Sequence, residues 1–143
     1  MRRVADARQP ESVTHAERGP GRVFCAANRR VFRDVLRDLV AATPGLVHVG
    51  EASEGSETIA SVWSLRPDLV LMDSRLRDRD ADGFEVAMIL AASRRDLLVV
   101  LMSVDPIEPP HGLTGHGGEL RMIVKQELSP RVLLDLWHGR RTR

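Results

Sequence analysis

Apolar residues come in two alternating patterns along this chain. Short runs rich in Val, Leu, Ile and Met occupy residues 22–26, 46–51, 68–72, 97–102 and 120–124. They have the length of strands, and their near-continuity is expected of strands covered on both faces. Between them apolar positions recur at three- and four-residue spacing. Val31, Val35, Leu36, Leu39 and Val40 define one helical face, with arginines, Asp34 and Asp38 around the other, and Thr43-Pro44-Gly45 stops this helix. A second helix is predicted over 56–65, with Ile59, Val62 and Trp63 apolar, and a third over 84–92. Ser129 as N-cap and Pro130 at the first turn open a last helix, whose apolar face is Val132, Leu133, Leu136 and Trp137. Both tryptophans are expected to pack inside.

Strands alternating with helices imply an α/β domain, a parallel sheet with helices on both faces. The alternation fails over 105–118, where Pro106, Pro109, Pro110, Gly112, Gly115, Gly117 and Gly118 argue against a regular helix. Residues 1–21 are polar and mixed in charge, and read as a flexible arm. Residues 139–143 read as a basic tail, which leaves 22–138 as one domain within the 143-residue chain.

Composition narrows the function classes. A net charge of +1 implies no large nucleic-acid footprint. Aromatics are 3% of residues and tyrosine is absent, which disfavours a base-stacking platform. Cys25 is the single cysteine, so it forms no internal disulfide and is expected to be a small buried hydrophobe. No apolar run is long enough for a membrane span, and the first residues lack the apolar stretch of a signal peptide. A cytoplasmic location is expected. The five histidines, His15, His48, His111, His116 and His138, show no convincing metal-ligand spacing.

The candidate chemistry lies at strand ends. Asp73 closes Leu69-Val70-Leu71-Met72-Asp73, and Lys125 closes Met122-Ile123-Val124-Lys125. Lys125 is the single lysine among 21 basic residues. A compact ammonium differs from a guanidinium where a point charge must sit beside a small anion. Ser103 ends the strand between them. In a parallel sheet these three ends share the carboxyl edge, the usual place for a site.

These segments together resemble the receiver domain of bacterial two-component response regulators. Arg66-Pro67-Asp68-Leu69-Val70-Leu71-Met72-Asp73 resembles the phosphoacceptor strand, and Val49-Gly50-Glu51-Ala52 the exit of the second strand. Asp82-Gly83 resembles the opening of the third helix. Val124-Lys125 followed by Ser129-Pro130 resembles the fifth strand and last helix. The resemblance implies a doubly wound (βα)5 flavodoxin-like fold, five parallel strands in order 2-1-3-4-5, with a short or irregular fourth helix here. It implies that Asp73 takes a phosphoryl group from a histidine kinase or phosphotransfer protein, with Ser103 and Lys125 contacting phosphoryl oxygens. Stabilising the charge of a transferred phosphoryl group requires such donors and cations.

The departures concern metal. The family places two adjacent carboxylates after the first strand to hold Mg2+; here they are Ala27 and Asn28. Asp73, the Asn28 amide and the Arg75 carbonyl would hold the ion weakly. Two compensations are conceivable: charge from Arg29, Arg30 and Arg75, or ligands from Asp78, Asp80 and Asp82. Val104 stands where a small residue is usual, which would narrow access to the acceptor, and Met122 stands at the aromatic switch position. No aspartate stands two residues after Asp73, which disfavours a haloacid-dehalogenase-type phosphatase.

The expected function is therefore an atypical, stand-alone receiver: a phosphoacceptor signalling through protein contacts, with no direct DNA binding and no enzyme activity beyond its own phosphorylation and dephosphorylation. The alternative is a phosphorylation-independent pseudo-receiver acting as an interaction or homodimerisation module.

Overall fold

The structure is a computed structural model and describes residues 19–76, 82–105 and 118–140. Most of the arm, the loop acids Asp78 and Asp80, the Pro/Gly-rich stretch except its two ends, and the last three residues lie outside the described residues.

Five strands form one parallel sheet: β1 (Gly21–Ala26), β2 (Leu46–Ala52), β3 (Leu69–Asp73), β4 (Leu98–Ser103) and β5 (Glu119–Val124). Their order is β2-β1-β3-β4-β5, the 2-1-3-4-5 order expected. Four α-helices are described: α1 (Arg30–Ala41), α2 (Gly55–Leu65), α3 (Gly83–Ser93) and α4 (Pro130–His138). The three central strands hold the runs with the most continuous apolar character, and β3 and β4 are buried at every position. Each contributes alternate side chains to two separate cores. Val23, Cys25, Leu69, Leu71, Leu98 and Val100 pack with Leu36 and Val40 of α1 and with Leu133, Leu136 and Trp137 of α4. Phe24, Val70, Met72, Val99 and Leu101 pack with Val62 of α2 and with Val86, Ala87 and Leu90 of α3. Period-two alternation of this kind supplies both faces of a covered sheet from one apolar run.

Two helix faces differ from expectation. Val31 and Val35 are 75% and 50% exposed; Leu36 and Val40 are buried, with Phe32 and Leu39 packed beside them. The face that packs is Phe32, Leu36 and Val40, at i, i+4 and i+8, so α1 is rotated toward its first aromatic residue. Trp63 is 59% exposed, whereas Thr58 and Val62 are buried on α2. The small Thr58 meets the sheet because its hydroxyl donates back to the Glu54 carbonyl at 2.7 Å and so needs no other partner. Trp137 is buried as expected, beside Gly21. Among the described residues no helix is long and apolar enough to cross a membrane.

Candidate functional site

Register brings the strand ends together. Asp73 pairs with Met102, and Ser103 with Val124, so Asp73, Ser103 and Lys125 end three neighbouring strands. Asp73 is only 5% exposed, a large desolvation cost for a carboxylate unless it is paired. Two donors meet it. Lys125 Nζ donates to Oδ2 at 2.9 Å, and the Arg75 backbone N–H donates to Oδ1 at 3.2 Å. Lys125 opens a 3-10 turn (Lys125–Glu127) directly after β5. The chain thus leaves the strand as its long side chain turns back across the sheet edge.

The Asp82-Gly83 pair also has a structural explanation. The Asp82 carboxylate accepts from the Glu85 N–H at 2.8 Å and caps α3. Gly83 donates its N–H to the Ser74 carbonyl at 3.1 Å. A Cβ on Gly83 would run into the Asp73 carbonyl oxygen and the Ser74 backbone. Glycine is therefore required by close approach, and α3 starts pressed against the loop that follows the carboxylate.

Ser103 is buried at the expected strand end, but its hydroxyl donates to the Asp105 carbonyl within its own loop. Val104 is 51% exposed beside it. Met122 is half-buried and packs toward the α2/α3 core.

The loop after β1 carries the largest surprise. Ala27 is fully buried and Asn28 is exposed. The carbonyl oxygens of both accept from Arg33 Nη1, at 2.8 and 3.1 Å. Arg33 Nε reaches Glu51 Oε2 at 3.3 Å, and Arg37 Nη2 reaches Glu51 Oε1 at 2.6 Å. Burial pushes the Glu51 carboxyl up, but the two guanidinium groups outweigh it and hold its pKa below the usual carboxylate range. His48 Nε2 lies 3.7 Å from Glu51 Oε1, too far for a hydrogen bond, and is buried with no partner among the described residues. Burial, then Arg37, lowers the His48 pKa against the opposing pull of Glu51. Phe32, next to Arg33, places its ring 4.4 Å from Lys125 Nζ, a cation–π distance.

Phe32, Arg33 and Glu51 were thus absent from the sequence-level site. The available signal was the four-residue spacing of Arg33 and Arg37, which puts them on one helical face, opposite a lone acid at the end of β2. Burial pushes the Cys25 thiol up to about 12, in keeping with a packing role.

These residues supply few ligands for a Mg2+ ion: Asp73, the Asn28 amide and the Arg75 carbonyl. Both Asp73 oxygens accept hydrogen bonds, Glu51 near the end of β2 is taken up by Arg33 and Arg37, and the backbone carbonyls of Ala27 and Asn28 face a guanidinium. No group of three or more metal-ligating side chains occurs among the described residues.

The doubly wound sheet thus carries a lysine-paired aspartate at its carboxyl edge. The chain matches the response regulator receiver domain family over residues 23–131 and belongs to it. It is 35% identical over 128 residues to the DNA-binding transcriptional activator DevR/DosR of Mycobacterium tuberculosis, covering 80% of this chain and 57% of that protein. It is 38% identical over 90 residues to a protein-glutamate methylesterase/protein-glutamine glutaminase of Anaeromyxobacter dehalogenans, covering 62% of this chain and 25% of that protein. The chain thus spans between about a quarter and just over half of the length of these relatives. The signal receiver domain of the response regulator NarL from Mycobacterium tuberculosis superposes with a TM-score of 0.67 at 22% identity, covering 85% of this chain and 99% of that one. The response regulator domain of Thermotoga maritima CheB gives 0.66 at 21%, covering 84% and 96%. These two share the fold.

Proposed function

We propose that this receiver domain, a two-component signalling module, accepts a phosphoryl group on Asp73 and signals through protein contacts. The observation that carries this reading is the buried Asp73 carboxylate held by Lys125 at 2.9 Å. A carboxylate oxygen attacks phosphorus, the bond from phosphorus to its donor breaks, and the leaving group departs with the bonding electrons. No proton needs to move on Asp73. Lys125 turns from the carboxylate to a phosphoryl oxygen, and Ser103, by rotating from the Asp105 carbonyl, supplies a second donor. The donor in the cell is a histidine kinase or phosphotransfer protein. The domain is a phosphoacceptor rather than an enzyme acting on a separate substrate. Switching runs through Met122, which packs toward the α2/α3 core. The location is cytoplasmic, the domain forms no direct DNA contact, and the unit is residues 22–138 between an N-terminal arm and a basic tail.

The test is intact-mass measurement after incubation with acetyl phosphate. An adduct in the native chain that is missing from Asp73→Ala supports the reading. An unmodified native chain under every condition sinks it. The second reading, a phosphorylation-independent interaction or homodimerisation module, is favoured by one observation: the Ser103 hydroxyl is already satisfied within its own loop.

A further inference from the structure

We propose that Phe32, in the first turn of α1, is the residue that positions the Lys125 ammonium at the acceptor: its ring face and the Asp73 carboxylate hold the ammonium between them. The effect on phosphoryl transfer rests on the phosphoacceptor reading. The placement of Lys125 is a property of the unmodified protein and can be measured separately.

Asp73 ends β3 and Lys125 follows β5, with β4 between them. The lysine therefore crosses two strand spacings, roughly 10 Å, to reach its partner. A four-carbon stem holds one such placement only at a cost in rotamer entropy. The hydrogen bond to Asp73 Oδ2 at 2.9 Å is one anchor. The lysine side chain is still 24% exposed, so water competes for the ammonium. The second anchor lies outside the sheet: the centroid of the Phe32 ring is 4.4 Å from Nζ. The negative face of an aromatic ring attracts a cation at this distance. The ring carries no net charge and takes no proton, so Lys125 keeps its positive charge for the anion beside it.

The ring is itself held in place. Phe32 packs against the core under α1 and α4, as do Ile123 and Leu128 on either side of Lys125. The Leu128 N–H donates to the Lys125 carbonyl at 3.1 Å and closes the turn from which the lysine projects. One core thus fixes both the ring and the root of the lysine. When an Asp73 oxygen bonds to phosphorus, Lys125 must leave it for a phosphoryl oxygen. The ring contact involves neither Asp73 nor the incoming group, so it survives that exchange and keeps the ammonium at the site. Phe32 touches none of the reacting atoms and is a positioning residue. Packing alone asks only for apolar volume at position 32, whereas the cation contact asks for a negative ring face, and this difference separates the two roles.

Two measurements test this. Lys125 is the single lysine of the chain, so its side-chain NMR signals are unambiguous. A ring facing the ammonium should move the Lys125 Cε protons upfield of their free-lysine position, and Phe32→Leu should abolish the displacement. Undisplaced protons in the native chain, or a displacement that persists in Phe32→Leu, overturns the proposal. The second measurement is the initial rate of labelling by acetyl phosphate with Mg2+ present, read by intact mass. A trifluorinated phenylalanine at position 32 keeps the shape of the ring but removes most of the negative charge of its face. It should slow labelling about three- to tenfold, the range that a cation–π contact corresponds to, with the urea midpoint close to native. Phe32→Leu should slow labelling at least as much, and Phe32→Tyr, which keeps the ring face, should stay within about twofold of native. Equal rates for the native and trifluorinated chains overturn the proposal. If the native chain does not label under any condition, the phosphoacceptor reading fails, and the lysine signals still decide whether Phe32 places Lys125.

Discussion

Asp73 carries a cost that its neighbours offset. An ionised carboxylate at 5% exposure is tolerable only with its ammonium and amide partners in place. Lys125→Gln should therefore destabilise the domain by about 1–3 kcal/mol in urea denaturation, less than for a fully buried pair because the lysine side chain is 24% exposed. Asp73→Asn in that background should recover part of the loss, and no recovery would mean the two residues are uncoupled. Gly83→Ala meets backbone atoms of Asp73 and Ser74 rather than a movable side chain. It should cost about 1–3 kcal/mol by the same measurement and shift the amide signals of 73–75. Neither residue looks costly from sequence, where one is a strand end and the other a helix start.

Caps and faces decide at the scale of elements. Ser129 Oγ accepts from the Val132 N–H at 3.1 Å, and Pro130 follows at the first helical position. Ser129→Ala should cost about 1 kcal/mol, seen as a lowered denaturation midpoint with an unchanged m-value. Every described strand and helix was legible in the sequence to within a residue or two, because burial on both faces leaves unbroken apolar runs that few other structures need. Helix faces were read less well. Val31 and Val35 fit the apolar stripe of α1 by spacing alone, yet Phe32 and the buried part of Arg33 take the inner side. A shift in phase of less than one residue's rotation keeps Leu36, Leu39 and Val40 inside but exchanges Val31 and Val35 for Phe32.

The network on the β2 side of the sheet links the loop after β1 to the stability of the whole molecule. The His48 pKa is lowered in the folded state, chiefly by burial. The unfolded chain therefore takes up this proton first as pH falls, and folding loses stability from about pH 6.5 down to the folded pKa, with a slope of at most about 1.4 kcal/mol per pH unit. Glu51 acts in a lower window: its depressed pKa contributes stability above the usual carboxylate value, lost as pH falls through the folded pKa. Urea midpoints measured between pH 7.5 and 5 should decline for the native chain and decline less for His48→Gln. Parallel curves would remove His48 as the source.

The sequence by itself determined the alternation of strand and helix, the parallel sheet, and the identity of Asp73, Ser103 and Lys125 as strand ends. It also showed that Ala27 and Asn28 lack the acidic pair. Periodicity and burial act locally along the chain, so they can be read without coordinates. Only the tertiary structure decided what packs against that loop. Arg33, Phe32 and Glu51 belong to elements joined across β1 and β2, and their meeting depends on strand register and helix phase, which no local pattern encodes.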